Sequence, residues 1–205
     1  MAKNKKNSDA PVVPPNEPRL AKLFEESVRK QVAEKFDQPN PMAQPKIEKI
    51  VVNVNIGRHL DGTKVPANVR QTVIDTLTAI SGQKPILIRA KKSVSNFKVR
   101  EGYESAVMVT MRRDRMWHFL DRLIHLATPR IKDFRGLPTK SFDRQGNYSF
   151  GLNEQGVFPE INMAEVNFTH GMHVNVVFKN SDAERSRFVL EQLGMPFRKP
   201  EAARK

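Results

Sequence analysis

Residues 47–56 read IEKIVVNVNI. Six of the ten positions are Ile or Val, whose branched Cβ suits the pleated surface of a sheet better than a helix. From Ile50 the apolar residues alternate with others, Ile50, Val52, Val54 and Ile56 against Val51, Asn53 and Asn55. A period of two predicts a strand with one buried face and one open face. Pro45 before it and Gly57 after it set its ends.

Outward from this strand the pattern changes period. Leu20, Leu23, Phe24, Val28, Val32 and Phe36 recur at helical spacing and predict an amphipathic helix over about 19–36, broken by Pro39, Pro41 and Pro45. Val69, Val73, Ile74, Leu77 and Ile80 predict a second helix closed by Gly82. Short strands are expected at Pro85–Ile88, Ala106–Met111, Tyr148–Leu152 and Met172–Phe178; in the last, Val174 and Val176 alternate with His173 and Asn175. Met116, Trp117, Leu120, Leu123, Ile124 and Ala127 mark a third helix, with Asp114 as its cap. Ser181-x-x-Glu184 reads as a capping box opening a last helix that runs through Leu193. Mixed strands and helices with long connections predict an α+β fold, one mostly antiparallel sheet with helices on one face and the other face free for a partner. Residues 1–18 read as a disordered basic, Pro-rich tail, 19–198 as one domain and 199–205 as a short basic tail.

The charge says what kind of partner. Among 205 residues, 35 Lys and Arg face 22 Asp and Glu, a formal charge of +13. Such an excess repels itself in a compact monomer and is useful beside a polyanion. A membrane is the poorer candidate, because no apolar run approaches the roughly 20 residues that span a bilayer, and no membrane partner is expected. The absence of cysteine excludes disulfides, thiolate metal sites and cysteine nucleophiles. The N-terminus carries no apolar secretory core, so a cytoplasmic location is expected.

The strongest local signal is residues 89–115, RAKKSVSNFKVREGYESAVMVTMRRDR, with eight Lys or Arg against three acids. Lys91, Lys92, Ser93, Val94, Ser95, Asn96 and Phe97 interleave cations, small polar groups and an aromatic ring. Hydroxyls and amides bond phosphate or 2′-OH groups, and a ring stacks on an unpaired base. The plainer reading is a solvated loop anchored by a buried phenylalanine. A second basic segment, residues 130–144, carries Arg130, Lys132, Arg135, Lys140 and Arg144. It reads either as a contact to RNA or protein or as an ordinary long connection.

Signs of catalysis are poor. No phosphate-binding loop, nucleophile elbow or dinucleotide fingerprint occurs. His59, His118, His125, His170 and His173 have no ligand spacing for zinc, and Glu154, Glu160 and Glu165 stand alone. No catalytic residue, metal or cofactor is expected. The alternative class, an RNA-modifying or nucleic-acid-cleaving enzyme with a basic groove, needs an acid/base or metal constellation. A protein-binding adaptor built on 130–160 leaves the charge unexplained.

Five stretches resemble the bacterial large-subunit ribosomal protein number five, the 5S-rRNA-binding family. They are PKIEKIVVNVNIG (45–57), AISGQKPILIRAKKSVSNFKVREGY (79–103), VTMRRDRMWHFLDRLI (109–124), PRIKDFRGLPTKSFDRQGNYSFGLNEQ (129–155) and FPEI (158–161). Their order and spacing match as well, over about residues 20–198. The resemblance implies a ribosome-bound structural protein without enzymatic activity. It implies 5S rRNA contacts at Asn53, Gln83, Phe97 and Arg100, and a 91–99 loop tip facing P-site tRNA. It further implies that the 130–155 region, with Arg130, Lys132, Arg135, Lys140 and Arg144, helps bridge to small-subunit head protein thirteen. Large-subunit rRNA and the neighbouring proteins of the central protuberance are the other implied partners. Two features depart from the family pattern: Asn55 stands where glycine is common, and the N-terminal tail is longer than usual.

Overall fold

A computed structural model describes residues 17–57, 65–164, 166 and 168–198. Residues 1–16 of the tail expected at 1–18, the tail expected at 199–205, His59 and Glu165 lie outside the described residues. Strands β1 (Lys46–Asn55), β2 (Ile86–Arg89), β3 (Glu104–Met111), β4 (Tyr148–Leu152) and β5 (Met172–Lys179) form one sheet in the order β2-β3-β1-β5-β4. Every neighbouring pair is antiparallel.

The alternation in β1 becomes two faces of the sheet. Ile50, Val52 and Val54 are fully buried and pair with Met111, Val109 and Val107 of β3. Across the other edge, Ile50 pairs with Val176 and Val52 with Val174. A bulge between Ile47 and Lys49 lets Ile47 also turn inward despite its odd spacing. On this face lie the helices α1 (Arg19–Leu23), α2 (Arg29–Phe36), α3 (Ala67–Ser81), α4 (Arg113–Arg122) and α5 (Ala183–Gln192), which supply Leu20, Val32, Leu77, Phe119 and Val189 to the shared core. The expected α+β architecture is the observed one.

Two π turns shape the helical layer. One, Phe24–Val28, joins α1 to α2, and the other, Leu123–Ala127, continues α4. Leu20, Phe24, Val28 and Val32 are buried at steps of four residues. An α-helix has 3.6 residues per turn, so each such step overshoots the column by about 40°. The wider π turn cancels part of that drift and keeps the column on the core. Ion pairs then lock the layer. Arg19 meets Asp121 at 2.7 Å, and Arg122 donates to the Ile80 carbonyl at 2.9 Å while pairing with Glu160.

Helix ends depart from expectation at two places. Gly82 closes α3 as predicted, with φ 67° and its N–H on the Thr78 carbonyl at 2.9 Å, a left-handed position that glycine takes without cost. Asp114 is not a cap: α4 starts at Arg113, and Asp114 lies in its first turn, where its charge suits the helix dipole. The capping box is absent too. Asp182 occupies the cap position of α5, and the Ser181 hydroxyl bonds that of Ser186 at 2.7 Å instead of a backbone N–H. At the chain's start, Pro18 is buried and its carbonyl begins α1, so it belongs to the domain rather than the tail.

The 131–147 excursion is fastened by the chain's far end. Leu137 donates to the Pro196 carbonyl at 2.8 Å, and Arg198 donates to the Leu137 carbonyl at 2.9 Å. Gly136, at φ 97°, passes so close that a Cβ would stand 2.6 Å from the Arg198 nitrogen. Beneath this clamp, Tyr148 packs on Phe142 and Phe197 with ring centroids 4.5 and 5.4 Å away. Its buried hydroxyl donates to the Pro138 carbonyl at 2.9 Å, and burial pushes the phenol well above its ordinary ionisation range.

Candidate nucleic-acid interface

Among the described residues, no helix covers the second face of the sheet. It presents Ile86, Ile88, Ala106, Met108, Thr110, Val51, Asn53, Asn55, His173, Asn175 and Ser149, which the pairing registers bring to one side. Asn53 lies at its centre, between Met108 of β3 and His173 of β5. Its Oδ1 is buried and has no hydrogen-bond partner. An orphaned buried acceptor costs about 1–3 kcal/mol, so this atom calls for a donor from outside the chain. Thr110, Asn175 and Ser149 add polar groups that sequence reasoning did not single out; the signal was the period-two alternation of β3, β4 and β5.

At one end of this face the chain between β2 and β3 rises as an ordered hairpin rather than a loose loop. Val94 and Val99 exchange backbone bonds at 2.8 and 3.2 Å, and Ala90 donates to Tyr103 at 2.7 Å. A 3-10 turn, Ser95–Phe97, forms the tip, and Ser93 Oγ accepts the Glu101 N–H at 2.9 Å. Lys91, Lys92, Ser93, Val94, Ser95, Asn96, Lys98 and Arg100 are all exposed. Phe97 is 74 % exposed, which rules out the buried-anchor reading: the ring is presented to solvent.

Gln83 behaves differently from Asn53. Its amide donates to the Thr110 carbonyl at 2.9 Å and accepts from Arg115 at 3.3 Å. The side chain thus serves a carbonyl just beyond the point where β2 begins to pair with β3, and it accepts from Arg115 in the first turn of α4. Phe97 and Arg100 are exposed and the buried Oδ1 of Asn53 has no partner, whereas Gln83 is engaged within the fold.

Asn55 ends β1 in ordinary extended geometry, and its Oδ1 accepts the Gly57 N–H at 2.8 Å. Where the family commonly has glycine, this chain thus needs no left-handed backbone, and the side chain closes the strand end. Arg130, Lys132, Arg135, Lys140 and Arg144 are exposed, and none forms an ion pair with a described residue. Of these, Lys132 and Arg135 border a cleft between the excursion and Gly151–Glu154. Among the described residues no three His, Asp or Glu converge as metal ligands, and no helix is long and apolar enough to cross a membrane.

Residues 40–100 match the family described as ribosomal protein L5, and residues 104–197 match the model for the C-terminus of that same ribosomal family. The chain belongs to the ribosomal protein L5 family. It is 45 % identical over 181 residues to the large ribosomal subunit protein uL5 of Wolinella succinogenes, covering 88 % of this chain and 96 % of that one. The uL5 of Campylobacter lari is also 45 % identical and that of an Anaeromyxobacter species 44 %, each covering 88 % of this chain and 98 % of the relative. As an L5-family member the chain is a structural constituent of the large ribosomal subunit and not an enzyme, and it resides with the ribosomes of the bacterial cytoplasm.

Proposed function

We propose that this protein binds 5S rRNA through the open sheet face and the basic hairpin beside it. The observation that carries this is the buried, unpartnered Oδ1 of Asn53 at the centre of an uncovered sheet. A 2′-OH or a base amino group of RNA supplies the missing donor. Phe97, with its ring in solvent, stacks on a base, and Arg100 holds a phosphate. Gln83 acts at one remove, by holding Arg115. Beyond 5S rRNA, the hairpin tip from Lys91 to Asn96 faces P-site tRNA. The unpaired cations Arg130, Lys132, Arg135, Lys140 and Arg144 contact the small-subunit head at protein thirteen. Large-subunit rRNA and the other proteins of the central protuberance complete the surroundings.

The test is Asn53→Ala, measured by 5S rRNA titration and by thermal unfolding. Removing an acceptor that bonds nothing in the free protein leaves stability unchanged or raised. Binding weakens by about 1–3 kcal/mol, because the RNA donor is then the group left unsatisfied. A salt series from about 50 to 200 mM accompanies it, since each neutralised phosphate contributes about −0.9 to the log–log slope in a duplex. Asn53→Ala removes no charge and leaves that slope unaltered. Unchanged affinity of the folded variant refutes the recognition surface.

A further inference from the structure

We propose that the polar cleft beside the open sheet face, between Asn55 and Asn153, receives a single unpaired nucleobase of ribosomal RNA; the proposal rests on the RNA-facing reading above. The cleft measures about 470 Å³ and is lined by Asn55, Gly151, Asn153, Thr169, His170 and His173, among others. None of the described residues that line it is Lys, Arg, Asp or Glu. Such a lining suits a neutral ligand better than a phosphate, which calls for cations or convergent N–H groups. A nucleobase is neutral and planar. It wants amides and hydroxyls at its edge and a flat group against its face, and these are the groups the cleft offers.

Its position agrees. His173 pairs with Asn53 across β1 and β5 and with Gly151 across β5 and β4, so the cleft continues the surface on which the Asn53 acceptor lies unpartnered. The described cations flank the cleft rather than line it. Lys91, Lys92, Lys98 and Arg100 rise from the hairpin that joins β2 to β3 at this same end of the sheet. Lys132 and Arg135 border the adjoining cleft, which shares Gly151 and Asn153. An RNA strand crossing this end finds its phosphates neutralised on both sides and room for one base between them.

Gly151 keeps that room open. It sits mid-strand in β4 on the open face, and its φ is not positive. A Cβ added there would meet only the His173 ring, at 3.7 and 3.8 Å, ordinary contact distances. The fold therefore does not require glycine, and a side chain with strand propensity would serve β4 better. A strand glycine that folding does not require marks a place of close approach by another molecule.

Gly151→Val separates the two demands, since it fills the cleft while favouring the strand. Thermal unfolding, 5S rRNA titration and dimethyl sulfate probing are applied to the purified protein–5S rRNA complex and to large subunits carrying the variant. The melting temperature stays level or rises. One base protected by the parent protein becomes reactive in the variant, and the affinity for the RNA that supplies it falls by roughly fivefold or more, the lower range for loss of a stacked base. Protection in the purified complex assigns the base to 5S rRNA; protection only in subunits assigns it to the larger rRNA. A bound Gly151→Val protein with the parent's footprint overturns the cleft and leaves the Asn53 surface standing. Should Gly151→Val not fold, Asn153→Ala at an exposed position carries the same test, with retained protection overturning the proposal. A parent that protects no base in either setting overturns the cleft, while the Asn53 surface stands or falls by the 5S rRNA titration of Asn53→Ala.

Discussion

Replacing Gln83 by alanine distinguishes a residue that reads RNA from one that builds the reader. The side chain makes two bonds, a half-buried one to the Thr110 carbonyl at 2.9 Å and a longer, exposed one to Arg115 at 3.3 Å. The first is worth about 1 kcal/mol net. The second, long and open to water, adds a few tenths at most, as exposed contacts to charged groups do. For a chain of this size about 1 kcal/mol lowers the melting temperature by roughly 2–4 °C. Binding to 5S rRNA falls less than in Asn53→Ala, because Arg115 keeps its charge and loses only its orientation. The salt slope stays put, since no cation has been removed. Thermal unfolding and RNA titration of the parent, Gln83→Ala and Asn53→Ala under one buffer give the comparison. The reasoning fails if Gln83→Ala melts like the parent while binding RNA as poorly as Asn53→Ala. That outcome means the amide faces RNA in the complex and has given up Thr110.

Phe97→Ala removes a ring that is 74 % exposed; stability stays within about 0.5 kcal/mol, while 5S affinity drops by about 1–3 kcal/mol if the ring stacks on a base, and an unchanged titration removes it from the interface. Lys91→Ala with Lys92→Ala leaves the fold intact and weakens tRNA retention in the P site of ribosomes verified to carry the variant; normal retention counts against a tRNA-facing tip. Burial raises the Tyr148 phenol above its ordinary value near 10, so stability is level below that pH and falls as pH rises beyond it, where the unfolded chain alone releases the proton. Tyr148→Phe abolishes this alkaline loss and costs about 1–3 kcal/mol at neutral pH by stranding the Pro138 carbonyl; pH-dependent denaturation of both proteins checks it.

Much of this architecture was legible in the residues because each strand and helix carries its own period. Ile50, Val52 and Val54 announced a two-faced strand, and Gly82 announced the end of α3. The helix caps were not legible. Serine and glutamate at capping spacing form no box when a neighbour, here Asp182, takes the cap position and the hydroxyl finds Ser186. The π turns were half written in the four-residue steps of Leu20, Phe24, Val28 and Val32, a spacing too long for an α-helix to keep on one side. Of the candidate interface, the exposed cations were readable as charge. Asn53 and Gln83 were not separable from sequence, since both are amides implied by the same resemblance. Only the register and the hydrogen bonds show one to be unpartnered and the other engaged.

The clamp at Leu137 has a consequence for synthesis. Its partners, Pro196 to Arg198, follow it by some sixty residues, so the clamp cannot close until they have been made. All five strands leave the exit tunnel before those partners do. Contacts to β4, such as Tyr148 to the Pro138 carbonyl and Phe142 on Tyr148, need none of these last residues. The clamp itself does, and so the final geometry around Gly136 and Leu137 depends on the synthesis of residue 198. A chain interrupted before that point would carry the open sheet face with the turn at Gly136 and Leu137 unfastened.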